Sequence, residues 1–259
     1  MNKEREREIL TMLLASEKKT LSVSELAKSL YTSESSIRRD LASLEQKQLI
    51  KRTHGGAAIE ENSISAQKIP FVIRELEQSD AKVEMAKKAT NYVNNCDVIF
   101  LDASSSAYNL VPYLAMKKGL TVITSGIKTL TKLGEYGIRA ISTGGILLPS
   151  CQSLVGNEAQ LTVSHFNADA CFFSCRGLSP DKMLTDISQP ENAVRLKMIQ
   201  HSARSYLLCT SNKINRTFYH NLCRAEDITG IIKADAPDEL TEPTLGQTNK
   251  PSRKKVEKT

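Results

Sequence analysis

The chain has no run approaching the roughly 18 consecutive apolar residues that a membrane-spanning helix needs, so no membrane association is expected. It also lacks the pattern of a secretory leader. The opening MNKEREREILTMLLASEKK carries acids from Glu4 onward, and its apolar run from Ile9 to Ala15 is short and interrupted. A cytoplasmic location follows as the expectation. The six cysteines, at 96, 151, 171, 175, 209 and 223, include no CxxC pair and no histidine at zinc-finger spacing. On a strand, Cys171 and Cys175 would share a face but lie about 13 Å apart, too far for a common metal. Buried thiols are expected rather than disulfides, a metal site or a redox sensor. Nor does any Ser-His-Asp order, metal cluster or carboxylate pair support catalysis, so the chain is read as a non-enzyme without cofactor.

What is present divides the 259 residues, which carry a net charge of +6, into two unequal parts. In the first sixty residues, Ile9, Leu10, Leu13 and Leu14 recur at helical spacing with charges on the opposite face. Ser22-Val-Ser-Glu25 matches a capping box for a second helix, with Leu26 and Leu30 facing inward. Tyr31-Thr32 makes a tight turn, and Ser33 caps a third helix whose buried stripe is Ile37, Leu41 and Leu44. LIKRTHGGAAIE then reads as two short strands around Gly55-Gly56, with the glycines supplying positive φ. Three helices and a hairpin make a winged helix-turn-helix.

Within "SIRRDL" (36–41) of the third helix, Ser36, Arg38 and Arg39 lie off the apolar stripe, as does Ser35 just before it. A helix of this size enters the major groove and presents its first residues to base edges. Short Ser35 and Ser36 allow close approach; long Arg38 and Arg39 reach guanine or phosphate. Asp40 would repel phosphates and is expected to anchor an arginine or a neighbouring helix instead.

Beyond a polar linker at 61–68 the pattern changes. Apolar segments at 97–102, 120–125, 138–143, 168–174, 205–210 and 228–234 alternate with helical stretches, the longest from about Arg74 to Asn94. This predicts an α/β domain over 69–236 built on a mostly parallel sheet covered on both faces. Residues 237–259 read as a disordered basic tail. Three loops follow strand candidates: Asp102-Ala-Ser-Ser-Ser106, at a helix start that suits an anion; Thr143-Gly-Gly145; and Thr210-Ser-Asn-Lys213. In an open parallel sheet all three gather outside the carboxyl ends of the strands, where ligands bind.

Residues 21–57, LSVSELAKSLYTSESSIRRDLASLEQKQLIKRTHGGA, resemble the DNA-binding signature of the DeoR family of bacterial transcriptional regulators. Thr32 replaces an apolar residue of that pattern and Ser36 a threonine. The resemblance implies DNA contacts by Ser35, Ser36, Arg38 and Arg39 from the recognition helix (domain 1–60) and by Lys51, Arg52 and His54 from the wing. It extends over roughly 70–235, where it implies a sensor fold similar to ribose-5-phosphate isomerase and CoA transferases that responds to phosphorylated sugars. The family's serine loop matches Asp102, Ser104, Ser105 and Ser106, and its glycine pair Gly144 and Gly145. FFSCRGLSPDKMLTD (172–186) is similar to its central segment, followed by Glu191. The Thr210–Lys213 loop keeps the family's cation and loses its acid. Arg176, Asp186, Glu191 and Lys213 complete the expected effector site.

The expected function is a DNA-binding transcriptional repressor of carbohydrate genes, relieved by a phosphorylated sugar and acting on a double-stranded operator. Because one small helix touches few bases, a homodimer or homotetramer is expected. The competing readings are a sugar-phosphate isomerase or transferase with an attached DNA-binding module, and a thiol-based redox regulator.

Overall fold

The computed structural model describes residues 3–59 and 70–240. The linker expected at 61–68 and the tail beyond residue 240 lie outside them. The chain forms two compact units, Met1–Ser79 and Asp80–Thr259.

In the first unit, α1 (Lys3–Ala15), α2 (Val23–Ser29) and α3 (Glu34–Gln46) enclose a core of Ile9, Leu10, Leu13, Leu26, Ile37, Leu41 and Leu44, all nearly solvent-free. Truncating any of these leucines to alanine costs about 2–5 kcal/mol in such a setting. The expected caps form. Ser22 Oγ accepts from the Glu25 amide while the Glu25 carboxylate accepts from the Ser22 amide, and Ser33 Oγ accepts from the Ser36 amide. Between α2 and α3 the chain turns through Tyr31 at φ +48°, a left-handed conformation with its side chain 97% exposed.

The wing is a three-stranded antiparallel sheet in the order β1 (Thr20–Ser22), β3 (Gly56–Ala58), β2 (Lys51–Arg52). The strand β1 was not anticipated. It also changes the role of the glycines. Neither Gly55 nor Gly56 adopts a positive φ, contrary to expectation. Gly56 is required by proximity instead: a Cβ there would lie 2.0 Å from the Leu21 carbonyl oxygen and 2.7 Å from Ser22 Cα, in the strand paired with it. At Gly55 a Cβ would meet nothing within 4 Å. A short helix, α4 (Phe71–Leu76), completes the unit, with Ile73 in its core.

The continuous helix expected from Arg74 to Asn94 is broken. Gln78 takes φ +49°, and a new helix, α5 (Ser79–Thr90), begins after it. From there the second unit is an α/β domain. Its seven-stranded sheet has the order β15-β14-β12-β9-β4-β5-β6, comprising β4 (Val98–Leu101), β5 (Thr121–Thr124), β6 (Arg139–Ser142), β9 (Ala170–Phe173), β12 (Ser205–Leu208), β14 (Gly230–Ile232) and β15 (Glu239–Leu240). All neighbours are parallel except β14 and β15. The first six are the six strands read from the sequence. β15 corrects the expected boundary of the tail at residue 237, since Glu239 and Leu240 pair with Ile231 and Gly230.

Alternate residues of each strand feed opposite cores, which is why the strands read as continuous apolar runs. Ile99, Leu101, Phe172, Tyr206 and Leu208 pack with α5, α6 (Ser105–Tyr108), α7 (Val111–Leu114) and α8 (Ile127–Glu135). Phe100, Cys171, Phe173 and Leu207 pack with α9 (Asn157–Ser164) and α10 (Gln189–Gln200). Two small antiparallel sheets had no counterpart in the sequence reading: β7 (Ile146–Leu148) with β8 (Ser153–Val155), and β10 (Gly177–Leu178), β11 (Met183–Asp186) and β13 (His220–Arg224). Among the described residues no helix is long and apolar enough to cross a membrane.

Replacing Gly56 by alanine is expected to lower unfolding free energy by at least about 1–3 kcal/mol through overpacking, while Gly55→Ala stays within about 0.5 kcal/mol of the parent. Urea denaturation of both variants checks the pair; equal effects would contradict the proximity argument.

Candidate nucleic-acid interface and effector site

On α3 the stripe of Ile37, Asp40, Leu41, Ser43 and Leu44 is buried, which leaves Ser35, Arg38 and Arg39 exposed on the other side. Ser36 is half-buried, its hydroxyl 2.9 Å from that of Ser33. Arg38 Nη2 donates to Glu34 Oε2 at 2.7 Å, one turn back. Arg39 has no side-chain hydrogen bond or ion pair among the described residues. In the wing, Lys51, Arg52 and His54 are all exposed, so six of the seven residues expected to meet DNA are exposed and Ser36 is half-buried.

Asp40 is turned inward, as its charge required. Its carboxylate is 1% exposed and accepts from Arg5 Nε of α1 at 2.5 Å. That hydrogen bond raises the Arg5 pKa. A second pair ties the same two helices in the opposite sense: Glu6 of α1 accepts from Ser43 Oγ at 2.7 Å and from Lys47 Nζ at 2.5 Å. Burial pushes the Glu6 carboxyl up, but the Lys47 and Ser43 donors outweigh it and hold it below the usual range. Its contribution is therefore present at neutral pH and lost as pH falls through that lowered value. On the other flank, Glu45 Oε1 accepts from the Arg52 amide, fixing the wing strand beside α3.

In the larger unit, the sheet order reverses between β4 and β9. The chain proceeds outward from β4 through β5 and β6 on one side, and from β9 through β12 and β14 on the other. This is the position where open parallel sheets bind ligands. Asp102 follows β4 there and is 2% exposed. Its Oδ1 accepts from the Ser104 amide (3.1 Å) and hydroxyl (2.5 Å), and its Oδ2 from the Ser174 amide (3.2 Å) and Arg195 Nε (3.0 Å). The Ser104 amide and hydroxyl, expected to face an anion at this loop, are thus taken up by the protein's own carboxylate. The helix behind it, α6, is only four residues long and is capped by Ser104 Oγ, which accepts from the Ala107 amide.

Arg195 is the centre of the cluster. Besides Asp102, it reaches Asp186 Oδ2 at 3.2 Å and Asn192 Oδ1 at 2.6 Å, both through Nη1. Burial alone would lower its pKa, yet the Asp102 and Asp186 charges raise it, so it stays cationic. Asp186, expected at a pocket mouth, is instead 6% exposed at the end of β11.

Ser174 links this cluster to Lys213. The Ser174 hydroxyl donates to the Leu208 carbonyl at 2.5 Å and accepts from Lys213 Nζ at 2.6 Å. Half-buried Lys213 has no carboxylate partner among the described residues, and burial lowers its pKa. Ser106 Oγ, Ser188 Oγ and Asn192 Nδ2 are buried without a hydrogen-bond partner among the described residues. The site therefore joins Asp102, Ser104, Asp186 and Lys213 through Ser174 and Arg195.

The remaining candidates sit differently. Gly144 and Gly145 have φ of +64° and +99°, and a Cβ on Gly145 would lie 2.4 Å from the Val155 carbonyl oxygen, so its smallness serves the packing of β8. They follow β6, two strands from β4. Arg176 and Glu191 are half-buried, and the Arg176 amide bonds the Thr185 carbonyl. Ser105 is buried in the first turn of α6. Four of the thiols are held as thiols by burial, Cys175 and Cys223 at about 12, with Cys171 and Cys209 also raised.

Sequence reading missed Arg195, Asn192 and Ser174. A signal existed: Asn192 and Arg195 fall on the same helical stripe as Met198 and Ile199, where an apolar residue is the rule.

Residues 5–63 match the model of the DeoR-like helix-turn-helix domain, and residues 77–235 that of the DeoR C-terminal sensor domain. The chain is 32% identical over 88% of its length to the HTH-type transcriptional regulator GolR of Listeria innocua, covering 89% of it. It is 30% identical over 85% of its length to an L-fucose operon activator of Haemophilus influenzae, covering 88% of that protein. Among solved structures, ribose 5-phosphate isomerase A from Methanocaldococcus jannaschii is similar over 53% of this chain and 55% of that one, at 14% identity and a TM-score of 0.41.

Replacing Arg195 by methionine leaves two buried carboxylates without their cation, and the expected loss of stability is about 3–5 kcal/mol. Lysine at the same position keeps the charge but cannot bridge both carboxylates, and an intermediate loss is expected. Chemical denaturation of the two variants checks this; a methionine variant as stable as the parent would contradict the assignment.

Proposed function

The chain belongs to the DeoR family of transcriptional regulators, and from that premise we propose that it binds operator DNA through α3 and the wing and is released by a phosphorylated sugar or a similar metabolite. The observation that carries the effector half of this reading is Lys213. A half-buried amine with no carboxylate at ion-pair distance among the described residues, at the strand ends next to the β4/β9 reversal, gains a full counter-charge when an anion binds. The Ser106 hydroxyl, without a partner among the described residues and on the loop after β4, is a further donor for such a ligand. In this reading Asp102, Ser104 and Asp186 shape the site rather than touch the effector, since their polar atoms are already engaged.

We read the protein as a regulator without catalytic activity. Isomerisation of a sugar phosphate needs a carboxylate free to move a proton at the sugar carbons, and Arg195 engages both carboxylates of the cluster. Thiol-based regulation is disfavoured at Cys171, Cys175 and Cys209, where burial holds the thiols protonated, whereas Cys96 is exposed, contrary to the expectation of buried thiols.

Repression is the simpler sign, because occupying DNA suffices to obstruct transcription, whereas activation needs an additional contact with the polymerase. The L-fucose operon activator represents the opposite sign in this family and supports a carbohydrate context. Two copies of α3, on a homodimer or homotetramer, would supply the contacts that a symmetric operator requires. Ser35, Ser36, Arg38 and Arg39 would then face bases and phosphates, with Lys51, Arg52 and His54 on the backbone.

Two variants test the two halves on a duplex selected by the protein from a randomised pool. Arg39→Ala should weaken binding to all duplexes and reduce the slope of log affinity against log salt by about 1. Lys213→Met should leave DNA affinity unchanged while raising the concentration of phosphorylated sugar needed for release about tenfold or more. An unaltered response of the Lys213 variant would contradict the effector assignment.

A further inference from the structure

We propose that Glu34 is a specificity-determining residue, whose carboxylate orients the Arg38 guanidinium so that its remaining N–H groups meet a guanine edge in the major groove. This rests on the reading of α3 as the helix that enters the groove.

Glu34 is the first residue of α3, and its Oε2 accepts from Arg38 Nη2 at 2.7 Å across one helical turn. Both side chains are about half exposed, at 51% and 53%. An i,i+4 pair at that exposure adds only a few tenths of a kcal/mol to a helix, so stability gives it little reason to exist. Its location does. A carboxylate at the leading end of a helix directed at DNA faces a dense array of phosphates and is repelled unless a cation neutralises it. Arg38 supplies that cation, while neighbouring Arg39 is held by no side chain among the described residues.

The geometry also fits a reading role. A guanidinium has five N–H donors, so one bond to Glu34 leaves four. Guanine offers O6 and N7 side by side as acceptors, which a fixed fork engages together. Holding the fork before binding reduces the rotamer freedom lost on contact. The flanking Ser35 and Ser36 are short, leaving room for the helix to approach. Arg38, tethered, is thus assigned to a base, and Arg39, untethered, to the backbone.

The experiment uses the full-length protein and a duplex it selects from a randomised pool, with every single-base variant of that duplex measured at one salt concentration. Glu34→Gln should lower the preference for guanine at one position of each half-site by about fivefold to tenfold and leave preferences elsewhere unchanged. Arg38→Lys should remove the preference at that same position, and in its background Glu34→Gln should have no further effect. Thermal melting of each variant confirms that the fold is retained.

Two outcomes overturn the proposal. One is a Glu34→Gln variant that binds every sequence more tightly by the same factor, which would make the carboxylate a source of repulsion alone. The other is a changed preference at a position that Arg38→Lys leaves intact, which would make Glu34 itself a reader of cytosine. In either case a weaker, less salt-sensitive Arg39→Ala variant would leave the groove assignment of α3 standing.

Discussion

The larger unit depends on one buried guanidinium. Arg195 stands between Asp102 and Asp186, and through them joins the end of β4, the end of β11 and the body of α10. Taking three charges out of water is costly, and the cost is offset only where each has directed partners. Here Asp102 accepts from four donors, and Asp186 from Arg195 and the Ile187 amide. The cluster fixes the loops at the strand ends. Because it engages both carboxylates, the proposed effector is left Lys213 and the hydroxyls without a partner among the described residues, which suits an anion.

The small unit solves a related problem with two partly buried pairs. Asp40 to Arg5 and Glu6 to Lys47 and Ser43 run in opposite senses between α1 and α3, so they resist sliding of one helix along the other as well as separation. Asp40 is thereby turned away from the exposed side of α3, which carries Glu34, Ser35, Arg38 and Arg39. Glu45 extends the arrangement to the wing by accepting from the Arg52 amide. A helix that reads a sequence must be held to a fraction of a residue's rise, and these bonds supply the restraint.

Much of this was legible in the sequence where local chemistry and long-range packing agree. Ser22, Glu25 and Ser33 cap their helices as their side chains dictate, and Ile37, Leu41 and Leu44 form the inward stripe. The six parallel strands announced themselves as apolar runs because both of their faces are covered. What was hidden depends on partners far along the chain. Gly56 is small because β1, more than thirty residues earlier, lies against it, and the turn itself needs no positive φ. Gln78 breaks a helix without a glycine or proline to mark it. The role of Arg195 depends on Asp102, 93 positions away, which the sequence does not place beside it. The short antiparallel sheets, of two to five residues per strand, carry too little periodicity to be read alone.

In the proposed function, the anion of a small metabolite, received at Lys213, controls whether α3 holds DNA. The most direct measurement is the fluorescence anisotropy of a labelled, selected duplex bound by the full-length protein, titrated with a panel of sugar and polyol phosphates and with each compound lacking its phosphate. Release by at least one phosphorylated compound, with its unphosphorylated counterpart inert at the same concentration, is the predicted result. Release of equal potency by the unphosphorylated compound, or DNA held unchanged across the whole panel, would contradict it.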